Sequence, residues 1–366
     1  MVFLFLISAF IQIVFWIAIF FVFILKKNKS KKNLQKKDFL PLSVVICAHN
    51  EAHNLANFLP QILLQKYPTF EVIVVDDRSD DNSSTILKNL QKNHTHLKIV
   101  VISKTPENIN PKKYALSEGI KNSLYDTLIL TDADCFPASE NWLWEISPKI
   151  FDKHQVGLGV SLYQKEKSFL NQFIQYETLF TAIQYIGFAL LGKVYMGVGR
   201  NLVYSKKLFE QKKGFDKIAT ITGGDDDLLI GKIANKNNTY ICLSPHSFTY
   251  SVPKKTWSEW YQQKKRHLSV GVYYRLEIKI LLILLQFSNI FFWWIGFFLI
   301  FSNFFLILSV FFVKITLNWF IFAVINRKYF NSTNFYLLPL FDFLFTIYFI
   351  VVGLMTFFTK KIRWKS

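Results

Sequence analysis

The chain has 366 residues, a formal charge of +18 and 51% hydrophobic residues, enough for a globular core together with membrane segments. Three widely separated cysteines, Cys47, Cys135 and Cys242, exclude a disulfide framework and a Cys-based zinc site and suit a reducing compartment. The positive charge is concentrated beside apolar runs, which points to the cytoplasmic face of a membrane rather than to nucleic acid.

Residues 1–25 are apolar apart from Ser8 and Gln12, long enough for a ~30 Å hydrocarbon layer, and are followed by a lysine-rich stretch from Lys26 to Lys37. A cleaved signal peptide has its positive charge before the apolar run, so this order predicts an anchor with its basic flank inside.

From Leu42 the pattern changes to short β-rich runs alternating with helix-length polar segments. Strands are predicted at Leu42 to Cys47, Phe70 to Val75, Leu97 to Ile102 and Thr127 to Leu130, with helices at about 51–65, 81–92 and 112–123. Such alternation implies βαβ units and a mainly parallel, Rossmann-like nucleotide-binding sheet. Neither GxGxxG after the first strand nor GxxxxGK[ST] is present, so the dinucleotide and P-loop readings lose their main support.

Ligands bind outside the carboxyl ends of strands in such sheets, and there the acidic residues collect. Asp76 and Asp77 follow the second strand, where a carboxylate can accept hydrogen bonds from a nucleoside; Asp80 or Asn82 is expected to cap the next helix. Lys112 lies at a helix start, where an ammonium and helix amides can meet phosphate. Asp132 and Asp134 follow the fourth strand, and two close carboxylates call for a cation, such as a hard divalent ion carrying phosphate oxygens.

Val156 to Leu162 reads as another strand and Phe169 to Leu191 as an aromatic-rich helix near the membrane. The loop carrying Gly197, Gly199 and Arg200 either lines an acceptor channel or makes a tight turn. Asp225, Asp226 and Asp227 form a second acidic site at a helix start, with one of the three as N-cap; a carboxylate there can take a proton from a sugar hydroxyl.

Trp257 to Tyr274 is amphipathic, and Gln263 and His267, four residues apart, share a face with Arg266 beside them. Trp257 and Trp260 suit stacking on a sugar or, slightly better, a membrane interface. Residues 278–325 are too long for one crossing and divide near Ser302 and Asn303; Phe335 to Phe358 makes a third run. Lys314 inside the second run must face protein, snorkel or mark an interfacial segment. Four crossings would put Lys360, Lys361 and Arg363 opposite the first lysine run, so one C-terminal run is expected to be re-entrant or interfacial.

The ordered set PLSVVI with Asn50 and Glu51, VVDDRSDDNS, KKYAL, TDADC, GVGRNL, GGDDDLLI and QKKRH resembles a membrane-bound family 2 glycosyltransferase of the cellulose, hyaluronan and poly-N-acetylglucosamine synthase-like group over about Leu40 to Gly271. The resemblance implies an α/β catalytic domain of the GT-A fold at 38–275, a membrane anchor and basic flank at 1–37 and a C-terminal transmembrane region at 276–366. It implies an inverting transferase at the cytoplasmic membrane face that moves a sugar from a nucleotide-diphosphosugar, with uridine the expected base, to a lipid-linked or surface-glycan acceptor with Mg²⁺ or Mn²⁺. Asp76, Asp77, Lys112 and Asp132 would bind the donor and Asp134 with Asp132 the metal. Asp225 would be the general base, although Gly224 replaces the acid that usually precedes it. Arg200, Asp227, Gln263, Arg266 and His267 would meet acceptor or diphosphate. His267 stands where QxxRW has Trp, which favours single transfer over a processive polysaccharide synthase. A catalytically silent membrane scaffold with a nucleotide-binding fold is the alternative of a different class.

Overall fold

The computed structural model describes residues 1–26, 40–147, 155–332 and 336–358. Most of the lysine-rich stretch after the first helix, and Lys360, Lys361 and Arg363, lie outside the described residues. The chain forms two compact units, with boundaries at 164/165, 193/194 and 253/254.

In chain order the elements are α1 (Val2–Leu25), β1 (Leu42–Ala48), α2 (Ala52–Leu63), β2 (Phe70–Asp77), α3 (Ser83–Asn93), β3 (Leu97–Ile102), α4 (Pro111–Lys121), β4 (Thr127–Asp132) and β5 (Cys135–Pro137). There follow α5 (Trp142–Ile146), β6 (Val156–Leu158), β7 (Ser161–Tyr163), α6 (Phe169–Leu190), β8 (Leu202–Ser205), α7 (Lys206–Gln211), α8 (Asp227–Ile233), β9 (Thr239–Ile241) and β10 (Thr249–Ser251). The chain ends in α9 (Trp257–Ser269), α10 (Leu276–Leu299), α11 (Phe304–Ile325) and α12 (Leu338–Phe358).

The sheet unit contains a seven-stranded sheet of order β3-β2-β1-β4-β8-β6-β9. Strands β1 to β4 are mutually parallel where they pair, while β8 runs antiparallel to β4 and β6. Their Val-, Ile- and Leu-rich runs are continuous rather than alternating because both faces are covered, as β1 shows with Val44, Val45 and Ile46 all buried. Register places Asp76 opposite Ala48 and Asp132 opposite Cys47, so β2 and β4 deliver their acids at one sheet end, ~10 Å apart across β1. A smaller sheet, β5-β10-β7, lies within the same unit.

One predicted strand divides. Residues 156–162 form β6 and β7 in different sheets, and the chain breaks at Gly159, where a Cβ would come within 2.5 Å of the Asn201 carbonyl. Asn201 fixes this corner: its side-chain amide donates to the carbonyls of Val160 (2.6 Å) and Ser247 (2.8 Å) and accepts from the Trp142 indole (3.0 Å).

The helical unit holds α1, α6, α9, α10, α11 and α12, so 165–193 and 254–275, expected within the 38–275 domain, group with the apolar helices. Val2–Leu25, Leu276–Leu299 and Phe304–Phe330 are each long and apolar enough to cross a membrane, and α10 and α11 separate at the predicted Ser302–Asn303 position. Phe5, Ala9, Phe292, Trp293, Ile307 and Phe311 pack as one cluster. Gln12 is buried and donates to the Leu285 carbonyl and the Ser288 hydroxyl, both at 2.7 Å.

Of the three placements open to Lys314, the structure selects protein. Lys314 is fully buried and ion-paired to Asp342 of α12, donates to Asn289 Oδ1 (3.0 Å), and lies over the rings of Phe292 and Trp293. Asp342 also accepts from the Asn289 amide (3.1 Å), the Trp293 indole (3.0 Å) and the Tyr176 hydroxyl (3.4 Å). On α9 the buried face is Trp260 with Lys264, which pairs with Glu177. Trp260 is buried and packs against Phe173, Trp257 and Tyr348, which leaves it no face for stacking on a sugar; Trp257 is half exposed.

Candidate active site

The loops after β1 and β2 are joined to each other. Asp77 O contacts His49 Nδ1 (2.6 Å), the Asn50 amide donates to Ser79 Oγ (3.0 Å) and Asn50 Oδ1 accepts from the Asp80 amide (2.8 Å). The Ser83 hydroxyl accepts from Glu51 N (3.1 Å). Asp81 is the residue that ties both helix starts: its carboxylate accepts from Ala52 N and Ser83 N, at 3.0 and 2.9 Å. The expected Asp80 or Asn82 side-chain cap is therefore replaced by Asp81; Asn82 is the N-cap position of α3 but makes no capping bond with its side chain.

Asp76 and Asp77 are both buried at the end of β2. Asp77 is held by its neighbour: Arg78 Nε and Nη2 donate to its two oxygens at 2.8 and 3.0 Å, with Arg78 in the left-handed region at φ 55°. Asp76 Oδ1 is buried and has no hydrogen-bond partner among the described residues.

The second β-strand of the acidic pair, β4, ends at Asp132, and Asp134 lies in the turn into β5. Burial, then the charge of Asp132, pushes the Asp134 carboxyl upward, and Glu51 acts in the same direction while Arg200 opposes it. These carboxylates repel one another, which is the donor set a hard cation relieves. Asp132 and Asp134 thus fit a divalent ion completed by phosphate or water oxygens, although no cluster of three or more His, Cys, Asp or Glu able to hold a metal occurs among the described residues.

At the centre is Lys112. From the first turn of α4 its ammonium reaches Asp132 Oδ1 (3.2 Å) and Asp225 Oδ2 (3.0 Å), bringing together three residues far apart in sequence. Burial would raise the Asp225 carboxyl, but Lys112 outweighs it and holds the group below the ordinary carboxylate value. Asp225 is therefore held as a carboxylate beside the Lys112 ammonium.

Asp226 is the N-cap of α8, accepting from Asp227 N (2.9 Å), and its other oxygen accepts from Gly199 N (2.9 Å). The middle aspartate thus holds the glycine loop that carries Arg200, a tie sequence gave no sign of. Arg200 lies 4.4 Å over the Tyr163 ring, and its Nη1 is buried with no hydrogen-bond partner among the described residues. Its carbonyl accepts from Thr131 and Thr249, both at 3.0 Å. Asp227 occupies the first turn of α8.

The structure thus joins Lys112, Asp132 and Asp225 directly, with Asp134 in the field of Arg200 and Asp76 and Asp77 at the same sheet end. Gln263, Arg266 and His267 lie on α9, in the helical unit; His267 is exposed and the other two are half-buried. Sequence reasoning missed the roles of Arg78, Asp81 and Lys113, whereas Asp226 fills the N-cap expected of one of the three aspartates.

The family described as glycosyl transferase family 2 matches residues 43–212. The probable glycosyltransferase YdaM of Bacillus subtilis is 26% identical over 247 residues, covering 66% of this chain and 57% of its own length. The poly-beta-1,6-N-acetyl-D-glucosamine synthase of Staphylococcus epidermidis is 31% identical over 126 residues, 33% of this chain and 29% of its own. The chain therefore spans little more than half of the first of these relatives and under a third of the second. A solved mannosyltransferase from Pyrobaculum calidifontis, in complex with GDP-Man and Mn²⁺, aligns over 98% of this chain and 100% of its own with a TM-score of 0.59 and 17% identity. That likeness is one of fold: the sheet and helices described above are the GT-A arrangement.

Proposed function

We propose, from the match to glycosyl transferase family 2 over residues 43–212 and the GT-A fold, an inverting transferase that moves a sugar from a nucleotide-diphosphosugar to a lipid-linked or surface-glycan acceptor. The observation that carries the reading is the Lys112 bridge between Asp132 and Asp225, which puts a cation and an ionised base at one point.

The nucleoside would meet the end of β2, where Asp76 has an open oxygen and both oxygens of Asp77 are engaged by Arg78. Lys112 and Arg200, whose buried N–H awaits an acceptor, face the diphosphate. Asp132 and Asp134 would hold Mg²⁺ or Mn²⁺, which when bound supplies charge neutralisation to the leaving diphosphate. Asp225 takes the proton of the attacking hydroxyl as the new bond forms at the anomeric carbon and the bond to phosphate breaks, inverting that carbon.

Asp227 belongs to the same acidic helix start, and Gln263, Arg266 and His267 are assigned to the acceptor by their motif positions. Three helices long and apolar enough to cross a membrane support a membrane-bound acceptor, and the basic run after α1 supports a cytoplasmic catalytic domain. The similarity to a poly-beta-1,6-N-acetyl-D-glucosamine synthase favours a second reading, repeated addition. Product length separates the two, one added sugar against a ladder.

The test is nucleotide diphosphate release by the detergent-purified chain from a panel of UDP- and GDP-sugars with Mn²⁺ or Mg²⁺. Metal-dependent release that falls at least a hundredfold in both Asp225→Asn and Asp134→Ala is expected. No release and no donor binding would favour the scaffold.

A further inference from the structure

Two adjacent lysines at the start of α4 do different work. Lys112 meets carboxylates, whereas Lys113, 1% exposed, turns to a stretch of backbone. Its ammonium donates to the carbonyls of Ile218 (2.8 Å), Ile221 (2.5 Å) and Gly223 (2.6 Å), using all three of its N–H groups. A fourth tie comes from the N-cap of the same helix, where Asn110 N donates to the Ala219 carbonyl (2.8 Å). The Asn110 side chain in turn accepts from Lys113 N, fixing the first turn of α4 itself.

The segment so held leads straight into Asp225. It has little regular structure of its own, a single 3-10 turn at Asp216–Ile218, and ends in Gly223 and Gly224, both left-handed at φ 80° and 74°. Two consecutive left-handed residues are open to glycine and strained for other L-residues, so the path is selective but glycine adds no rigidity. The stiffness comes from Lys113. One helical turn therefore sets both ends of the Lys112–Asp225 contact: Lys112 supplies the cation, and Lys113 fixes the backbone from which the carboxylate is presented.

We propose that Lys113 is a positioning residue for Asp225, pinning residues 218–223 so that the carboxylate stands where it meets Lys112 and the attacking hydroxyl. The proposal rests on the reading of Asp225 as the general base. A misplacement of about 1 Å in a catalytic group lowers turnover on the order of a hundredfold without requiring loss of substrate binding.

The test uses the full chain in detergent and compares Lys113→Met with Asp225→Asn. Three quantities are measured: donor turnover, affinity for UDP and GDP in Mn²⁺, and hydrogen exchange over 218–224. Lys113→Met is expected to bind nucleotide within threefold of wild type, to lose about a hundredfold in kcat with little change in donor KM, and to exchange faster over 218–224 alone. A kcat within threefold of wild type overturns the proposal, as does parallel loss of nucleotide affinity and turnover, which marks a purely structural lysine. Asp225→Asn with full turnover would sink the base assignment itself, whatever Lys113→Met does. Should Lys113→Met fail to fold, Gly224→Ala leaves the lysine in place and disturbs only the loop. It is expected to show the same division, nucleotide affinity kept and kcat down at least tenfold, and unchanged kcat in that variant overturns the proposal.

Discussion

Replacing Asp342 with leucine isolates the strongest electrostatic commitment in the helical unit. The Asp342 carboxylate accepts from Tyr176 of α6, Asn289 and Trp293 of α10 and Lys314 of α11, so one side chain of α12 joins three other helices. In Asp342→Leu the Lys314 ammonium, 0% exposed, keeps only Asn289 Oδ1 and the faces of Phe292 and Trp293. Stranding one member of a buried ion pair costs about 3–5 kcal/mol, and the contacts with the Phe292 and Trp293 rings, present with or without Asp342, do not offset it. Lys314→Met should cost less, because Asp342 retains three neutral donors. With both charges gone, Lys314→Met with Asp342→Leu should lie within about 1 kcal/mol of wild type, since an apolar pair of similar volume replaces a buried ion pair at little cost. Reversible SDS titration of the detergent-solubilised chain measures all three. Additive losses, with the double variant as unstable as the sum of the singles, would refute the view that Lys314 and Asp342 exist for each other.

Arg78→Gly removes a guanidinium that occupies both oxygens of Asp77 and relieves a left-handed non-glycine residue, so nucleotide affinity by calorimetry should rise severalfold while the empty protein melts a few degrees lower; weaker nucleotide binding would instead make Arg78 a nucleotide contact. Lys112→Met leaves Asp132 and Asp225 without their shared cation, and donor turnover should fall at least a hundredfold; a smaller effect than that of Arg200→Ala would move the diphosphate toward Arg200. Burial pushes the Lys113 ammonium down to about 8, against the pull of Asp225, Asp226 and Asp227 and with the push of Lys112. A neutral amine has two N–H groups for three carbonyls, so turnover should decline as pH rises through 8. Because the folded value lies below the ordinary 10.5, the unfolded chain binds more proton between the two and this lysine's contribution to stability rises across that window. Turnover and melting temperature should therefore part company above pH 8, and a parallel fall in both would point to general alkaline unfolding.

Much of the sheet was legible because the runs at 42–47, 70–75, 97–102 and 127–130 carry no polar alternation, with β1, β2 and β4 buried on both faces and the edge strand β3 partly exposed, and each became a strand within two residues of its predicted ends. The break in 156–162 was not legible, because it depends on Asn201, some forty residues away, crowding Gly159. For the same reason, which of the three aspartates would be the expected N-cap was not legible. Asp225, Asp226 and Asp227 look alike in sequence, yet Asp225 meets Lys112 while Asp226 caps α8 and holds Gly199. Lys112 and Lys113 are equally alike, and which points to carboxylates follows from the facing of α4. That Trp260 is buried was not legible either, because it rests on neighbours on α6 and α12 that no local pattern names.

The order β3-β2-β1-β4-β8-β6-β9 also governs how the protein can be made. The four parallel strands are complete once Asp132 has been synthesised, but the neighbour that covers β4, β8, begins at Leu202, about 70 residues later. At ~5–20 residues per second the apolar edge carrying Leu128, Ile129 and Leu130 waits about 4–15 s for its partner, while α6, a helix of the other unit, is produced in between. An uncovered strand edge during that interval is a template for pairing between nascent chains. Slowing translation between Asp132 and Leu202 should raise the insoluble fraction, whereas the same slowing after Ser251, when every strand has been made, should not.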